Sequence, residues 1–499
     1  MSRVTLREAL GAGLGLGLGA ALVWSPMWTL VSAGVSTGLA GLLQLTRFRS
    51  VWRWACAVLL FGYIVLNRGF AYTSLTIEGV PIYVGELTLF FCLLAMPHRA
   101  SLAEFMASAP ARWMFGWLLI GITLTIPGFL SYGVPALRDA AVYYYVIFTY
   151  IGYAFAEREQ DSERLLRVLG VAFLFHLVYN IVYFSGVVDL EAGWMSAPGS
   201  DFPLFSHRGD ASSTAALAGA LFMLLVSRRS WASWLAGLAQ LALFVGLHVR
   251  AGYAGFALVA GLLVYAGRLQ QILRVFVLVV CLLLVGVGLD SLLGLREWGL
   301  FPTRSGGLSP ERLVETVQSI FDVSGQRTYR YSDSEVSQSN VQWRLEFWQL
   351  VLADTLGSAR SFLVGGGFGQ PLVGEPKFFK GDTPDRPTRS PHNIALTVLG
   401  RMGIVGLGLW AGFLLASYRH ILRGVRASGR LADSRFHERL TFVSAYTLAV
   451  FGAALFGVLL ESPFGAIPYY FLLGLAIKWA ERRPAVGEVE DLVASQSEG

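Results

Sequence analysis

Charge is what this chain has least of. Only 14% of its 499 residues are charged, against 55% hydrophobic, and no soluble domain of that size tolerates such a balance. Cysteine is nearly absent. Cys56, Cys92 and Cys281 all fall within apolar runs, which excludes a disulfide framework and reads them as small buried side chains. No His or Cys cluster has metal-ligand spacing, and no Asp-x-Asp occurs in the segments read as outward-facing, so a metal site has little support. The glycine run Gly365-Gly366-Gly367-Phe368-Gly369 lacks the Lys-Ser/Thr of a phosphate-binding loop and reads as a tight turn back toward the membrane. No internal repeat of the kind that divides many transporters into halves is evident.

What the chain has in abundance is apolar length. A bilayer core of roughly 30 Å takes about 17 to 25 apolar residues per helix. Fourteen such runs start near Leu10, Trp28, Val51, Pro81, Arg112, Leu137, Leu165, Ala211, Trp231, Ala251, Gln271, Asn393, Thr441 and Phe464. Spanning backbone must satisfy its own hydrogen bonds, so the expected fold is an all-α polytopic membrane protein of about 14 (12–14) transmembrane helices. The first run follows Arg3 and Arg7 with no small-residue cleavage site behind it and reads as a retained anchor. Its GAGLGLGLGA stretch suits close helix packing.

Short-loop arginine and lysine set orientation. Placing both termini on one side gives that side twenty-three basic residues, from Arg3 through the cluster Arg419 to Arg439 and on to Arg483, against four opposite: Arg68, Arg138, Arg208 and Arg250. Both termini are therefore expected to be cytoplasmic. The chain divides into helices over 1–293, an outward loop domain over 294–391, helices over 392–483 and a tail over 484–499. The net charge of +6 is mostly this topology; the basic residues form no single patch, and nucleic acid is not an expected partner.

The outward loop has structure of its own. Ser309-Pro310-Glu311 starts one helix, and a second is expected from roughly Ser337 to Leu356 with Trp343, Phe347, Leu350 and Val351 on its apolar side. The loop carries eleven basic and eleven acidic residues, so individual placement matters more than bulk charge.

Three residues carry the chemical argument. His392, ahead of Asn393 where the loop meets an apolar helix, can accept a proton at neutral pH and suits activation of a hydroxyl; the bland reading is an interfacial helix cap by Asn393. Arg250 sits between two apolar runs with almost no loop, and an arginine near hydrocarbon marks a functional pathway, snorkelling to headgroups being the alternative. Arg344, in WRLEFW, shares a helix face with Trp348, and an ion pair with a loop acid is its structural alternative. Arg401 is a second-tier candidate whose partner could be a buried carboxylate such as Glu461.

Jointly these positions resemble the O-antigen ligase and polysaccharide polymerase superfamily. His392-Asn393, nine residues, Gly403, two residues and Gly406 match its His-Asn/Ser/Gln-x9-Gly-x2-Gly signature. Arg344-x3-Trp348 followed by GGGFG, and an arginine like Arg250 upstream of the long loop, agree with it in order. Val249 stands where the family usually has serine. The resemblance implies a GT-C-like, lipid-carrier-dependent glycosyltransferase of the bacterial inner membrane with a periplasmic active site. It would use an undecaprenyl-diphosphate-linked glycan as donor, with no cofactor or metal, and invert the anomeric carbon. The acceptor would be lipid A-core in a ligase, or a second carrier-linked glycan in a polymerase; transfer to a protein hydroxyl is a third activity. His392, Arg250 and Arg344 would be catalytic, and Asn393, Trp348, Arg389 and Arg401 would bind substrate. A flippase or permease reading would call for symmetric halves and short external loops, which the chain does not offer.

Overall fold

The computed structural model describes residues 50–77, 80–96, 99–185, 195–227, 230–247, 249–268, 332–373, 389–430 and 434–482, with a few isolated positions between 270 and 318. The runs near Leu10 and Trp28, most of the run near Gln271 and the helix expected at Ser309 lie outside these residues.

The described chain is a helical bundle. In order it forms α1 (Val51–Ala71), a hairpin of β1 (Ser74–Ile77) and β2 (Val80–Tyr83), α2 (Val84–Ala95), α3 (Arg99–Ala107), α4 (Ala109–Tyr132), α5 (Val134–Tyr144), α6 (Ile147–Phe155), α7 (Glu159–Ser185) and α8 (Gly209–Leu221), which runs on through a π-helical turn to Val226. Then come α9 (Trp231–Gly246), α10 (Arg250–Tyr265), α11 (Ser332–Leu356), α12 (Ala359–Val364), α13 (Ile394–Ser428), α14 (Ser434–Ala454), a 3-10 turn (Leu459–Glu461) and α15 (Pro463–Glu481). Among the described residues five helices are long and apolar enough to cross a membrane: α1, α4, α7, α8 with its π turn, and α13. Shorter apolar helices are α2, α9 and α10.

Two local expectations change. The run near Pro81 begins not as a helix but as β2, paired antiparallel with β1 so that Pro81 faces Thr76. Alternating β-branched residues favour the pleat, and proline is accepted where no ladder partner lies on its far side. The run near Leu137 is broken into α5 and α6 at Tyr145-Val146, where the Tyr144 and Tyr145 hydroxyls both donate to Glu86 Oε1, at 2.7 and 2.6 Å.

Caps and small residues shape the bundle. Ser108 caps α4 by accepting from the Ala111 N–H, with Pro110 in the first turn, and Ser230 caps α9 through Ser233. Hydrophobic burial gives helices little reason to associate within lipid, so close backbone approach matters more. α6 and α15 meet this way: a Cβ on Gly152 would lie 1.9 Å from the Phe471 carbonyl oxygen, and one on Gly474 1.9 Å from that of Thr149.

Charge gathers at the two ends. Arg53 pairs with Asp161 at 3.3 Å, Arg439 with Glu163 at 2.9 Å, and Lys478 with Glu104. These basic residues all belong to the majority set of the orientation argument. At the opposite end α1 breaks at Asn67, which has φ 35, and the Asn67 amide donates to Ser212 Oγ. There Arg68 lies over the Phe202 ring and Arg208 pairs with Asp210.

Candidate functional site

α13 is two helices joined at Gly403, whose φ of 63 and ψ of −167 lie outside helical space. A Cβ there would also fall 2.4 Å from the Leu363 carbonyl carbon, so glycine is required both by conformation and by space. A Cβ on Gly406 would come 2.2 Å from Met402 Cβ. The two signature glycines therefore let the chain turn and pack around the break. The nine residues between Asn393 and Gly403 form about 14 Å of helix, which holds the His-Asn pair at a set distance from that break.

At the start of α13, Asn393 is the N-cap, and its Oδ1 accepts from the Leu396 N–H. Thr397 Oγ1 donates back to the Asn393 carbonyl at 3.1 Å. His392, just outside, has φ 54, a left-handed conformation that a non-glycine residue holds only when its surroundings insist. Two contacts do so. The His392 N–H donates to Ser390 Oγ at 3.0 Å, and the Trp348 indole N–H donates to the Pro391 carbonyl at 2.7 Å. Trp343 meets the imidazole edge-on with ring centroids 5.1 Å apart.

The glycine run clamps the first half of α13 from the other side. Gly365, Gly367 and Gly369 all have positive φ, and the N–H groups of Gly366 and Gly367 donate to the Gly400 and Arg401 carbonyls at 2.8 and 2.9 Å. Asp139 of α5 joins these parts. Its Oδ2 takes the Gly369 N–H at 3.2 Å, Arg389 Nη2 at 2.7 Å and Arg401 Nη2 at 3.0 Å. Arg401, only 3% exposed, donates as well to the Gly367 and Gln370 carbonyls. Its ion-pair partner is thus Asp139 rather than Glu461, which acts on it only through space. Asn393, Trp348, Arg389 and Arg401, expected at the substrate, all commit polar atoms to this scaffold.

The other face of His392 is cationic. Arg344, on α11 with Trp343 and Trp348, is half-buried; its Nε is shut off from solvent and, among the described residues, has no hydrogen-bond partner. Its pKa is lowered first by burial and then by Arg250, with Arg208 adding to the effect and Asp210 opposing it. The His392 imidazole is pushed down to about 4, first by burial, then by Arg344 and Arg208, again against Asp210. It is neutral at physiological pH, with a nitrogen lone pair available. The structure therefore brings His392, Arg344 and Arg250 into one electrostatic neighbourhood.

Two helix N-termini open onto it. Arg250 begins α10 directly after Val249, whose side chain supplies no cap, so the missing serine leaves N–H donors of the first turn without a capping side chain. Arg208 is the N-cap position of α8, where Asp210 Oδ1 takes both Arg208 Nε and the Ala211 N–H at 3.0 Å. The two starts touch, a Cβ on Gly209 lying 3.4 Å from Val249 Cγ2. Guanidinium groups and helix N-termini of one sign make a site suited to an anion with several oxygens.

Arg208, Asp210 and Trp343 are members that sequence reasoning missed. Arg208 was visible as one of four basic residues on the minority side, but nothing in its spacing ties it to residues so far along the chain. Trp343 was legible only as part of an apolar stripe. Residues 235–411 match the family model described as O-antigen ligase. No curated protein matches the chain. With the apolar helices and the His-Asn junction already in place, that segment makes this multi-pass membrane protein similar, over that stretch, to the O-antigen ligase family.

Proposed function

We propose that the protein is an O-antigen ligase-type glycosyltransferase of the bacterial inner membrane. It moves an undecaprenyl-diphosphate-linked glycan to a hydroxyl of lipid A-core at the periplasmic face. The observation that carries this reading is the cationic cluster in which Arg344 and Arg208 act on a neutral, half-buried His392 and Arg250 acts on Arg344. Three guanidinium groups less the Asp210 carboxylate leave two positive charges, which balance the two negative charges of a diphosphate diester.

The reaction follows from that balance. As the anomeric C–O bond breaks, charge grows on the departing diphosphate, and prepositioned donors stabilise it more than they stabilise the bound donor. Arginine forks onto phosphate oxygens and keeps its charge when buried, so it takes the part a metal ion plays in other glycosyl transfers. His392 accepts the proton of the acceptor hydroxyl as that oxygen attacks from the face opposite the diphosphate, which inverts the anomeric carbon. The bound diphosphate offsets the arginines beside the imidazole and makes it a stronger base when substrate is in place. Arg389, Arg401, Asn393 and Trp348 hold the junction in shape and border the glycan.

Reconstitution tests this. Purified protein in liposomes, given carrier-linked glycan and lipid A-core, should yield a capped core product that is lost in His392→Ala and Arg344→Ala. A ladder of longer carrier-linked glycans without capped core would identify a polymerase instead. Wild-type transfer by His392→Ala would remove histidine from the mechanism.

A further inference from the structure

The second half of α13 carries a basic stripe that the proposed reaction leaves unused. From Gly403 to Ser428 this helix runs about 38 Å, more than the roughly 30 Å of a hydrocarbon core, so its last turns reach the headgroups. Leu414, Ser417, Ile421, Val425 and Ser428 are buried and fix which way it faces. A Cβ on Gly424 would lie 2.6 Å from Ala480 Cβ of α15, and Ser428 Oγ meets His437 Nδ1 of α14 at 2.9 Å.

The outer side holds Arg419, Arg423, Arg426 and Arg430, all exposed. At 3.6 residues per turn they fall within about 60° of arc and extend over about 16 Å. No acid occurs between residues 394 and 430, and among the described residues none of the four arginines is in an ion pair. Of the helices packed along α13, α4 carries no acid. The single acids of α14 and α15 are engaged elsewhere: Glu438 lies 3.7 Å from Arg268, and Glu481 accepts from the Tyr153 hydroxyl. The arginines are thus spaced three and four apart with no countercharge, an arrangement that costs helix stability. Nearer the middle of the bundle the same side is apolar and open. Leu415, one turn before Arg419, is 72% exposed, Ile404 and Val405 are exposed, and a Cβ on Gly408 would touch nothing.

We infer that Arg419, Arg423, Arg426 and Arg430 form a binding surface for phospholipids with anionic headgroups, in the leaflet at that end of the bundle. One side of a single helix passes from hydrocarbon to headgroups and turns from apolar to cationic as it does. Acyl chains fit its upper part and phosphates its lower part, which a soluble acidic protein would not match. Arginine forks onto phosphate oxygens, and each arginine close to an anionic leaflet strengthens binding about fivefold. The bound phosphates would supply the countercharge that the stripe lacks. Lipid binding here is independent of whether the protein transfers glycan.

The test titrates phosphatidylglycerol, or phosphatidylcholine as the neutral comparison, into the full chain in a non-ionic detergent and follows the melting temperature. A ligand that binds only the folded protein raises that temperature. Phosphatidylglycerol should stabilise the wild type more than phosphatidylcholine does, and high salt should remove the difference. Arg423→Gln combined with Arg426→Gln should raise the phosphatidylglycerol concentration needed for half the effect about 25-fold. Arg423→Lys with Arg426→Lys, which keeps the charge, should raise it far less. Replacing all four arginines by Gln should abolish the preference; if that variant does not insert, the double variants decide. A double Gln variant with the wild-type half-point would overturn the inference. So would equal stabilisation of the wild type by both lipids, which would leave the stripe to an acidic protein.

Discussion

His392 is neutral because three influences agree: it is half-buried, and Arg344 and Arg208 both resist a further positive charge beside them. A group lowered to about 4 holds its basic form at every pH above that value. The acid limb of kcat/KM, which reports the free enzyme, should therefore lie near 4. A bound diphosphate cancels the repulsion, so the acid limb of kcat should lie at higher pH. Measuring both profiles checks this, and coincident limbs would mean that the donor does not bind beside the imidazole. Arg208, unmarked by any motif, should matter as well. Arg208→Ala should lower kcat about 10²- to 10³-fold, as removal of one preorganised donor does elsewhere, and a near-wild-type rate would place it outside the reaction. Arg344→Lys should fail to restore activity, because a point charge cannot replace a fork on two phosphate oxygens.

Among elements, the decisive one is the broken helix α13. Gly403→Ala would force a side chain into left-handed backbone, costing about 1–2 kcal/mol, and would press a Cβ against the Leu363 backbone 2.4 Å away. The expected result is a clear fall in melting temperature in detergent. Asp139 belongs to the same unit. Its removal would leave Arg401 buried and unneutralised beside Arg389, and breaking one side of a buried pair costs about 3–5 kcal/mol. Asp139→Ala should thus destabilise far more than Arg389→Ala, whose side chain is partly exposed; equal losses would show that the Arg401 pair is not the stabilising one. Much of this unit is readable from the chain alone. The Gly-x2-Gly spacing marks a special helix, and an asparagine at the head of an apolar run is legible as a cap. The partner of Arg401 is not, since Asp139 and Glu461 are equally acidic on paper and the ion pair at 3.0 Å is with Asp139.

At the scale of the whole molecule, the site and the majority of short-loop arginines occupy opposite ends of the bundle, which predicts their compartments. In a Cys281→Ser background, Asp201→Cys should react with a membrane-impermeant maleimide in intact cells, and Arg430→Cys only after the membrane is opened. The reverse pattern would put His392 in the cytoplasm and end the proposed use of a periplasmic donor. The two remaining cysteines, Cys56 and Cys92, are buried in contact, their sulfurs 3.4 Å apart, and should stay silent.

Hydropathy and charge placement are local properties, summed residue by residue, so the sequence by itself determined a helical membrane protein, an expected sidedness and the His392 junction. Electrostatic partnership is different in kind. It depends on distances between groups more than a hundred residues apart, such as Arg208 with Arg344 or Asp139 with Arg401. Only the packing of the helices could decide which carboxylate neutralises which arginine, and which arginines gather beside the imidazole.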